Sequence, residues 1–593
     1  MSYKNTDIID NIQLAILKEL FKNPPINSNA RNIYLQNQLN KSSIDDLIKR
    51  FYIDDELQLT EKGKTIVSSN QPKSAIILAA GFGIRMVPIN AETPKGLIEV
   101  FGEPLIERLI KQLREVNIKD ITIVVGFMKE QYEYLIDLYD VKLIVNGEYK
   151  TKNNLHSLNK AKDKIDCTYI IPCDIWCRHN PFDTCETHSW YLVTNEMTSN
   201  SNIHIDSNNN IIVNSHGQGN RLIGISYINH YDSKILKENI ESFCQDARYN
   251  NSFWEEALIK DNKFSIWPKV KDKSDVFEIN TYEQLRELDQ DSNHLKNDAI
   301  DIICHSLSIK ANDVKEITTL KKGMTNRSFL FSSHNERYIM RIPGEGTEQL
   351  INRQEECQVY QQIKDKSICD DVIYLNEVNG YKITKYFDNA RVCNPNNTHD
   401  LKRCMQFLRS FHNLNIYVNH EFNLFGKIEY YQSLWLTNKS LYRDYETTKK
   451  NVYKLKKFVE SNCKHKTLTH IDAVADNFLF INNDKEIRLI DWEYAAMQDP
   501  HVDIAMFCIY ALFDRTQIDN IIDIYFEDKC DIKTRIKIYA YISICGLLWS
   551  NWCEYKSQLG IEFGEYSLRQ YRYAKDYYQI VKNELNKIGE SIE

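Results

Sequence analysis

No two cysteines stand in C-x-x-C spacing, although the 593-residue chain carries 15 of them. Zinc knuckles are therefore excluded, and the closest approach, Cys173 with Cys177, reads as two free thiols beside a strand. No apolar stretch approaches the ~20 residues a membrane-spanning helix needs, so no membrane insertion is expected, and the longest, Ile538 to Trp549, predicts a buried helix. The opening MSYKNTDIIDNIQ lacks the apolar core of a secretory signal, and abundant thiols without an export signal predict a reducing, cytoplasmic setting. Positive charge is not in excess. With 74 Lys+Arg against 82 Asp+Glu the net charge is −8, which gives no general attraction to nucleic acid or anionic lipid. No internal repeat stands out. Apolar mass is ample: 42% hydrophobic and 11% aromatic residues fill the roughly three or four domains implied at about 100–200 residues each.

Residues 1–70 carry helical periodicity at Ile8, Ile9, Ile12, Leu14, Ile16 and Leu17, then around Ile33 to Leu39, then from Ser43 to Tyr52. With Leu57 to Val67 as a wing, the order resembles a winged helix-turn-helix module. The resemblance implies DNA contact, yet the third helix offers only Lys49 and Arg50 beside Asp45 and Asp46. A structural or protein-contact role is therefore the stronger expectation.

From residue 73 to 292 short apolar runs alternate with helical segments, the pattern of a Rossmann-like mixed sheet with helices on both faces; Asn200 to Gln218 reads as an inserted hairpin. Within it, LAAGFGIRM runs a buried strand, with Leu78 and Ala80, into Gly81, Gly83 and Arg85, and TPKG brings Lys95. Glycines there let backbone N–H groups approach phosphate oxygens, and the two cations add fixed charge. This is not the dinucleotide fingerprint, because Arg85 and Met86 stand where its third glycine would fall. YIIPCDIW places Asp174 at a strand end, where a carboxylate can hold Mg²⁺.

LAAGFGIRM, the downstream Pro-Lys and KNNLHSL resemble nucleotidyltransferases that join an NTP to a phosphorylated small molecule, most closely bacterial phosphocholine cytidylyltransferases, over most of residues 73–290. The resemblance implies catalysis by Arg85 and Lys95, nucleotide contacts from Leu78, Ala80, Gly81, Gly83, Asn153, Asn154 and Ser157, and an acceptor site at Trp254 and Glu255. It implies metal ligands at Asp174 and at a second aspartate, for which this chain has Asn280 in VFEIN. Asparagine ligates through its carbonyl oxygen but brings no charge, so weaker Mg²⁺ binding is expected, with Glu278 or substrate phosphate to compensate.

Residues 298–593 read as a small β-containing lobe before a long helical one. LTHIDAVADNFLF sets Asp472 and Asn477 in H-x-D-x-x-x-x-N order and IRLIDWEY adds Asp491 and Glu493. One carboxylate must orient or deprotonate a hydroxyl while Asn477 and Asp491 hold Mg²⁺ on ATP. KGMTNRSFLF, with Thr325 and Asn326, resembles a phosphate-covering hairpin. The resemblance to kinases implies that Arg341 takes the place of their ATP-contacting base, with Glu356 its candidate partner. Arg341 followed by IPGEGT resembles choline kinases, a bilobal protein-kinase-like fold. A choline site requires aromatic faces and carboxylates, for which Glu493, Trp549, Trp552, Tyr566 and Tyr571 are the candidates. His470 reads as a structural hydrogen-bonder and Asp503 as a brace of the catalytic loop.

The expectation is a multidomain α/β and α+β enzyme. Its kinase makes phosphocholine from choline and ATP, its transferase makes CDP-choline from phosphocholine and CTP, both with Mg²⁺, and the product feeds decoration of a bacterial surface polymer. The alternatives are an ethanolamine or sugar pathway, or a DNA-binding sensor with a weakened transferase.

Overall fold

The computed structural model describes residues 11–24, 38–89, 93–199, 201, 203–205, 211–213, 218–259, 266–320, 326–344, 350–437, 439–559 and 563–592. The chain forms two compact units, Met1–Ile302 with Ile317–Thr319 and Ile303–Glu316 with Leu320–Glu593.

The first unit opens with α1 (Asn11–Lys22), α2 (Gln38–Lys49) and α3 (Glu61–Ser69). The expected helix around Ile33 lies largely outside the described residues, as do Ile8 and Ile9. The wing expected over Leu57 to Val67 is corrected. An antiparallel bridge joins Ile53 to Leu59, and then Thr60 starts a helix, its side chain accepting from the Gly63 N–H at 3.2 Å. A Leu17, Leu20, Leu47 and Val67 core forms between the helices, and it includes Cys185 of the following fold.

That fold is a seven-stranded mixed sheet. Its strands are β1 (Ser74–Ala79), β2 (Asp120–Val125), β3 (Lys142–Val145), β4 (Thr168–Pro172), β6 (Trp190–Thr198), β7 (Gly219–Ile228) and β8 (Trp267–Lys271), in the order β8-β6-β7-β4-β1-β2-β3. β1, β2, β3 and β4 run parallel, whereas β7 is antiparallel to both β4 and β6. Every residue of β1 is buried, as a central strand covered on both faces requires. Outside the sheet, β5 (Ile175–Cys177) pairs antiparallel with β9 (Val276–Glu278). The inserted hairpin is present as Ile203–Ile205 against Ile211–Val213; its turn lies outside the described residues.

In the second unit β10 (Asn326–Ser333), β11 (Glu336–Pro343), β13 (Lys382–Lys385) and β12 (Val372–Leu375) pair antiparallel in that spatial order, with α4 (Arg353–Ile363) between β11 and β12 in sequence. The helical part includes α5 (Leu424–Ser433), α6 (Tyr445–Asn462), α7 (His501–Tyr510), α8 (Ile532–Gln558) and α9 (Glu565–Lys587). The apolar run Ile538 to Trp549 is the centre of α8 and is buried throughout. No helix among the described residues is long and apolar enough to cross a membrane.

Candidate active sites

In the first unit the two site-bearing loops leave the same edge of adjacent parallel strands, where open α/β sheets place ligands. β1 runs into the Gly81–Gly83 turn and β4 into Asp174, with Leu78 opposite Pro172. Gly83 has φ +60° before a 3₁₀ turn at Ile84–Met86, a conformation that disfavours a side chain. Arg85 donates to Asn280 Oδ1 at 2.9 Å, Lys95 donates to the same oxygen at 2.6 Å, and Lys95 pairs with Asp174. The Asp174 and Asn280 oxygens thus already converge on a positive charge, which fits them to hold a cation. Among the described residues no three His, Cys, Asp or Glu side chains cluster as a metal site, so phosphate oxygens or water would complete such a shell. Cys173 and Cys177 are both free and buried.

Beside this lies an acidic, aromatic cluster. Glu255 Oε1 accepts from the Tyr191 hydroxyl at 2.9 Å, and its buried Oε2 has no partner among the described residues. Burial pushes its carboxyl up to about 7, and Glu278 and Asp174 push the same way. Trp254 is fully buried 6.0 Å from Tyr191, within the core. Gly224 closes the wall: with φ +90°, a Cβ there would meet Pro172 at 2.6 Å and Glu255 at 3.7 Å.

The three candidate nucleotide contacts of KNNLHSL are engaged inside the protein. Asn153 accepts from the Asn154 N–H (2.8 Å) at a helix start, Asn154 accepts from the Trp254 N–H (2.8 Å), and buried Ser157 accepts from Asn146 (3.0 Å). Those bonds fix the helix start and the Trp254 backbone.

In the second unit, Asp503 receives the backbone N–H groups of His470 (2.9 Å) and Ile471 (2.7 Å) and contacts His412 (2.9 Å), while His470 Nε2 meets the Ile490 carbonyl (3.0 Å). That bracing holds Ile471 at φ +70° and Asp491 at φ +69°, strained backbone of the kind that clusters at working sites. Asn477 donates to Asp472 through its backbone carbonyl (2.9 Å) and its carboxylate (3.3 Å), which leaves the Asn477 carbonyl oxygen for a cation. Burial, then Asp491 and Glu493, push the Asp472 carboxyl well above the ordinary range. Arg341 reaches Glu356 at 2.7 Å, Glu493 at 3.5 Å and Asp491 at 3.8 Å. Thr325 and the Asn326 side chain lie outside the described residues.

Aromatic side chains cluster in the same unit. Trp549 and Trp552 meet edge-to-face at 5.4 Å, and Tyr494 stands edge-on to Trp549 at 5.9 Å. The Tyr431 and Tyr494 hydroxyls and the Trp552 Nε1 are buried without hydrogen-bond partners among the described residues. Asp472 acts electrostatically on Tyr431, Tyr494 and Tyr566 alike, so these rings share its surroundings. Tyr571 is corrected: it stacks on Tyr442 at 3.8 Å and donates to Asp444 (2.8 Å) and Thr448 (2.9 Å), a packing role against α6.

Comparison with known proteins follows these lines. Residues 75–179 match the MobA-like NTP transferase domain and residues 317–573 the Choline/ethanolamine kinase family. The choline-phosphate cytidylyltransferase of Streptococcus pneumoniae is 32% identical over 36% of this chain and 96% of its own length; that of Haemophilus influenzae is 34% identical over 35% and 91%. The chain belongs to the choline-phosphate cytidylyltransferase family. Its second unit carries the kinase: Protein LicA of Haemophilus influenzae is 26% identical over 42% of this chain and 96% of that protein. The protein is thus a fusion of a nucleotidyltransferase with a phosphotransferase.

Four residues of the cytidylyltransferase and kinase sites escaped sequence reasoning. Tyr191 and Tyr431 looked like ordinary strand and helix aromatics, and only the fold brings them to carboxylates. Tyr494 had a local signal, standing three residues beyond Asp491 on the same loop. Arg353, one helical turn before Glu356, contacts it at 3.0 Å and Glu493 at 3.4 Å; its i, i+3 spacing was the available signal.

Proposed function

We propose that the protein makes CDP-choline from choline in two steps. The observation that carries this reading is the pairing of carboxylates with aromatic side chains in both units: Glu255 bonded to Tyr191 in the first, and in the second Asp472 acting on Tyr431, Tyr494 and Tyr566, with Tyr494 edge-on to Trp549. Each sets carboxylates against aromatic faces, and neither offers the many fixed polar partners a sugar requires. One quaternary ammonium group therefore suits both.

In the kinase, Asp472 takes the proton of the choline hydroxyl as its oxygen bonds to the γ-phosphorus of ATP and the bond to ADP breaks. Arg341, held by Glu356, faces the nucleotide phosphates. In the transferase, a phosphate oxygen of phosphocholine attacks the α-phosphorus of CTP and pyrophosphate leaves. Arg85, Lys95 and the N–H groups of the glycine turn stabilise the charge that develops. Asp174 and Asn280 in one unit, and Asn477 and Asp491 in the other, would hold Mg²⁺, which supplies charge neutralisation on the triphosphate.

Cytoplasmic placement is supported by fifteen free cysteines, and delivery of the product to a bacterial surface polymer is the downstream role we assign. For the N-terminal helices the reading is structural: Arg50 is tied to Asp46 at 3.2 Å, which weakens the case for phosphate contact.

The kinase pocket is tested by Trp549→Leu and Trp552→Leu. Each face over a desolvated ammonium contributes about 0.5–2 kcal/mol, so the choline KM should rise roughly two- to thirtyfold at constant ATP KM, with a smaller change for ethanolamine. Equal losses for ATP and choline would mark both tryptophans as core.

A further inference from the structure

On β7, Arg221 stands at a break in register: Asn220 pairs with Met197 and Leu222 with Val193, so this one residue faces Thr194 to Glu196. Such irregularities re-aim a side chain next to a site. Here the guanidinium is directed onto two carboxylates, Glu196 at 3.3 Å and Glu278 at 3.4 Å. Glu278 ends β9, and the next residue, Ile279, donates its N–H to the Asp174 carbonyl at 2.9 Å. Glu278 also acts electrostatically on Glu255 and Tyr191. Arg221 therefore sits as a cation on the acidic wall of the transferase acceptor pocket. The three side chains are 33%, 37% and 29% exposed, and pairs this exposed contribute only about 0–1 kcal/mol, so they exchange partners readily.

We propose that Arg221 is a resident stand-in for the substrate's ammonium and the residue that makes the transferase select a zwitterion. The quaternary ammonium of phosphocholine, held against Glu255 and Tyr191, draws Glu278 away from Arg221, and the released guanidinium turns to the acceptor's own phosphate, where a planar fork matches phosphate oxygens. Free choline brings the cation without the anion. It would displace Arg221 and leave the guanidinium with nothing to pair with, so the transferase rejects the kinase's substrate while accepting its product. The two reactions share one chain, and this exclusion keeps the unphosphorylated precursor from blocking the second step. The inference rests on phosphocholine being the transferase acceptor.

The test uses the full chain with CTP and phosphocholine, without ATP so that the kinase stays idle, and with choline added as an inhibitor. In Arg221→Gln the phosphocholine KM should rise tenfold or more, while choline inhibits at several-fold lower concentration because Glu196 and Glu278 stand uncovered. The CTP KM should hold, which reports an intact fold, and Arg221→Lys should fall between. Opposite shifts for the two ligands are the signature. If phosphocholine and choline weaken together, or neither moves, Arg221 is a brace and the proposal fails. If the unmodified protein does not turn over phosphocholine with CTP at all, the underlying reading fails instead.

Discussion

Asp472 and Lys95 belong to separate units, so their loss should separate the two activities. Asp472→Asn is expected to abolish choline phosphorylation and leave cytidylyl transfer to supplied phosphocholine nearly intact, and Lys95→Ala the reverse. Removal of an electrostatic group of this kind costs about 10²–10³ in turnover. A folded variant that loses both activities would contradict two independent sites. Glu255 makes a pH prediction whose sign follows from its environment. Its carboxyl is pushed up to about 7, from an ordinary 4.5, so it is neutral below that pH and faces a cation as an anion only above it. The phosphocholine KM should rise about tenfold from pH 8 to pH 6. Glu255→Gln should have a high and pH-independent KM over that range, and an unchanged pH profile in this variant would remove Glu255 from the site. At this scale most of each candidate site was legible, because Gly83, Lys95, Asp174, Asp472 and Asp491 stand in short local strings. Asn153 and Ser157 were less so: a string that names a polar residue does not say which way it points, and here helix capping and a buried hydrogen bond to Asn146 take those side chains.

Among the elements, α1 has the least obvious role and the clearest docking. Lys18 pairs with Glu186 at 2.6 Å and with Asp183 at 3.6 Å, Lys22 pairs with Asp183, and the Thr187 hydroxyl donates to the Leu14 carbonyl at 3.0 Å. These acceptors lie in the segment that follows β5, directly downstream of Asp174. Glu186 is 1% exposed and keeps Lys269 as a second partner at 3.3 Å. Lys18→Met should therefore cost about 1–3 kcal/mol, the range for leaving a buried polar group undersatisfied. The measurement is residual activity after heating: cytidylyl transfer should fail at lower temperature while choline phosphorylation survives as before. Equal thermal loss of both, or of neither, would mean that α1 does not brace the transferase. Helical periodicity made α1 legible; its partner surface was not, since ion pairs such as Lys18 with Glu186 span 168 residues of sequence. The helix at Glu61–Ser69 was misread as a wing because the short apolar positions of the segment fit either element, and the Thr60 cap decides it. By contrast α8 was plain, an apolar run too long for a strand and too short for a membrane.

As a whole, the molecule joins consecutive reactions on one chain through a shared intermediate. The order of domains was readable because each carries a periodicity of its own, strands alternating with helices first and a β lobe before helices second. The pockets were half readable: their carboxylates lie in motifs, whereas walls such as Tyr191, Tyr431 and Arg221 are assembled by strands and helices distant in sequence. The most direct test follows the full chain by phosphorus NMR with choline, ATP, CTP and Mg²⁺. Phosphocholine should appear first and then give way to CDP-choline and pyrophosphate, with ADP formed in step with phosphocholine. A reaction that stops at phosphocholine while CTP stays intact, or one that consumes CTP without any choline-derived phosphate, would contradict the account.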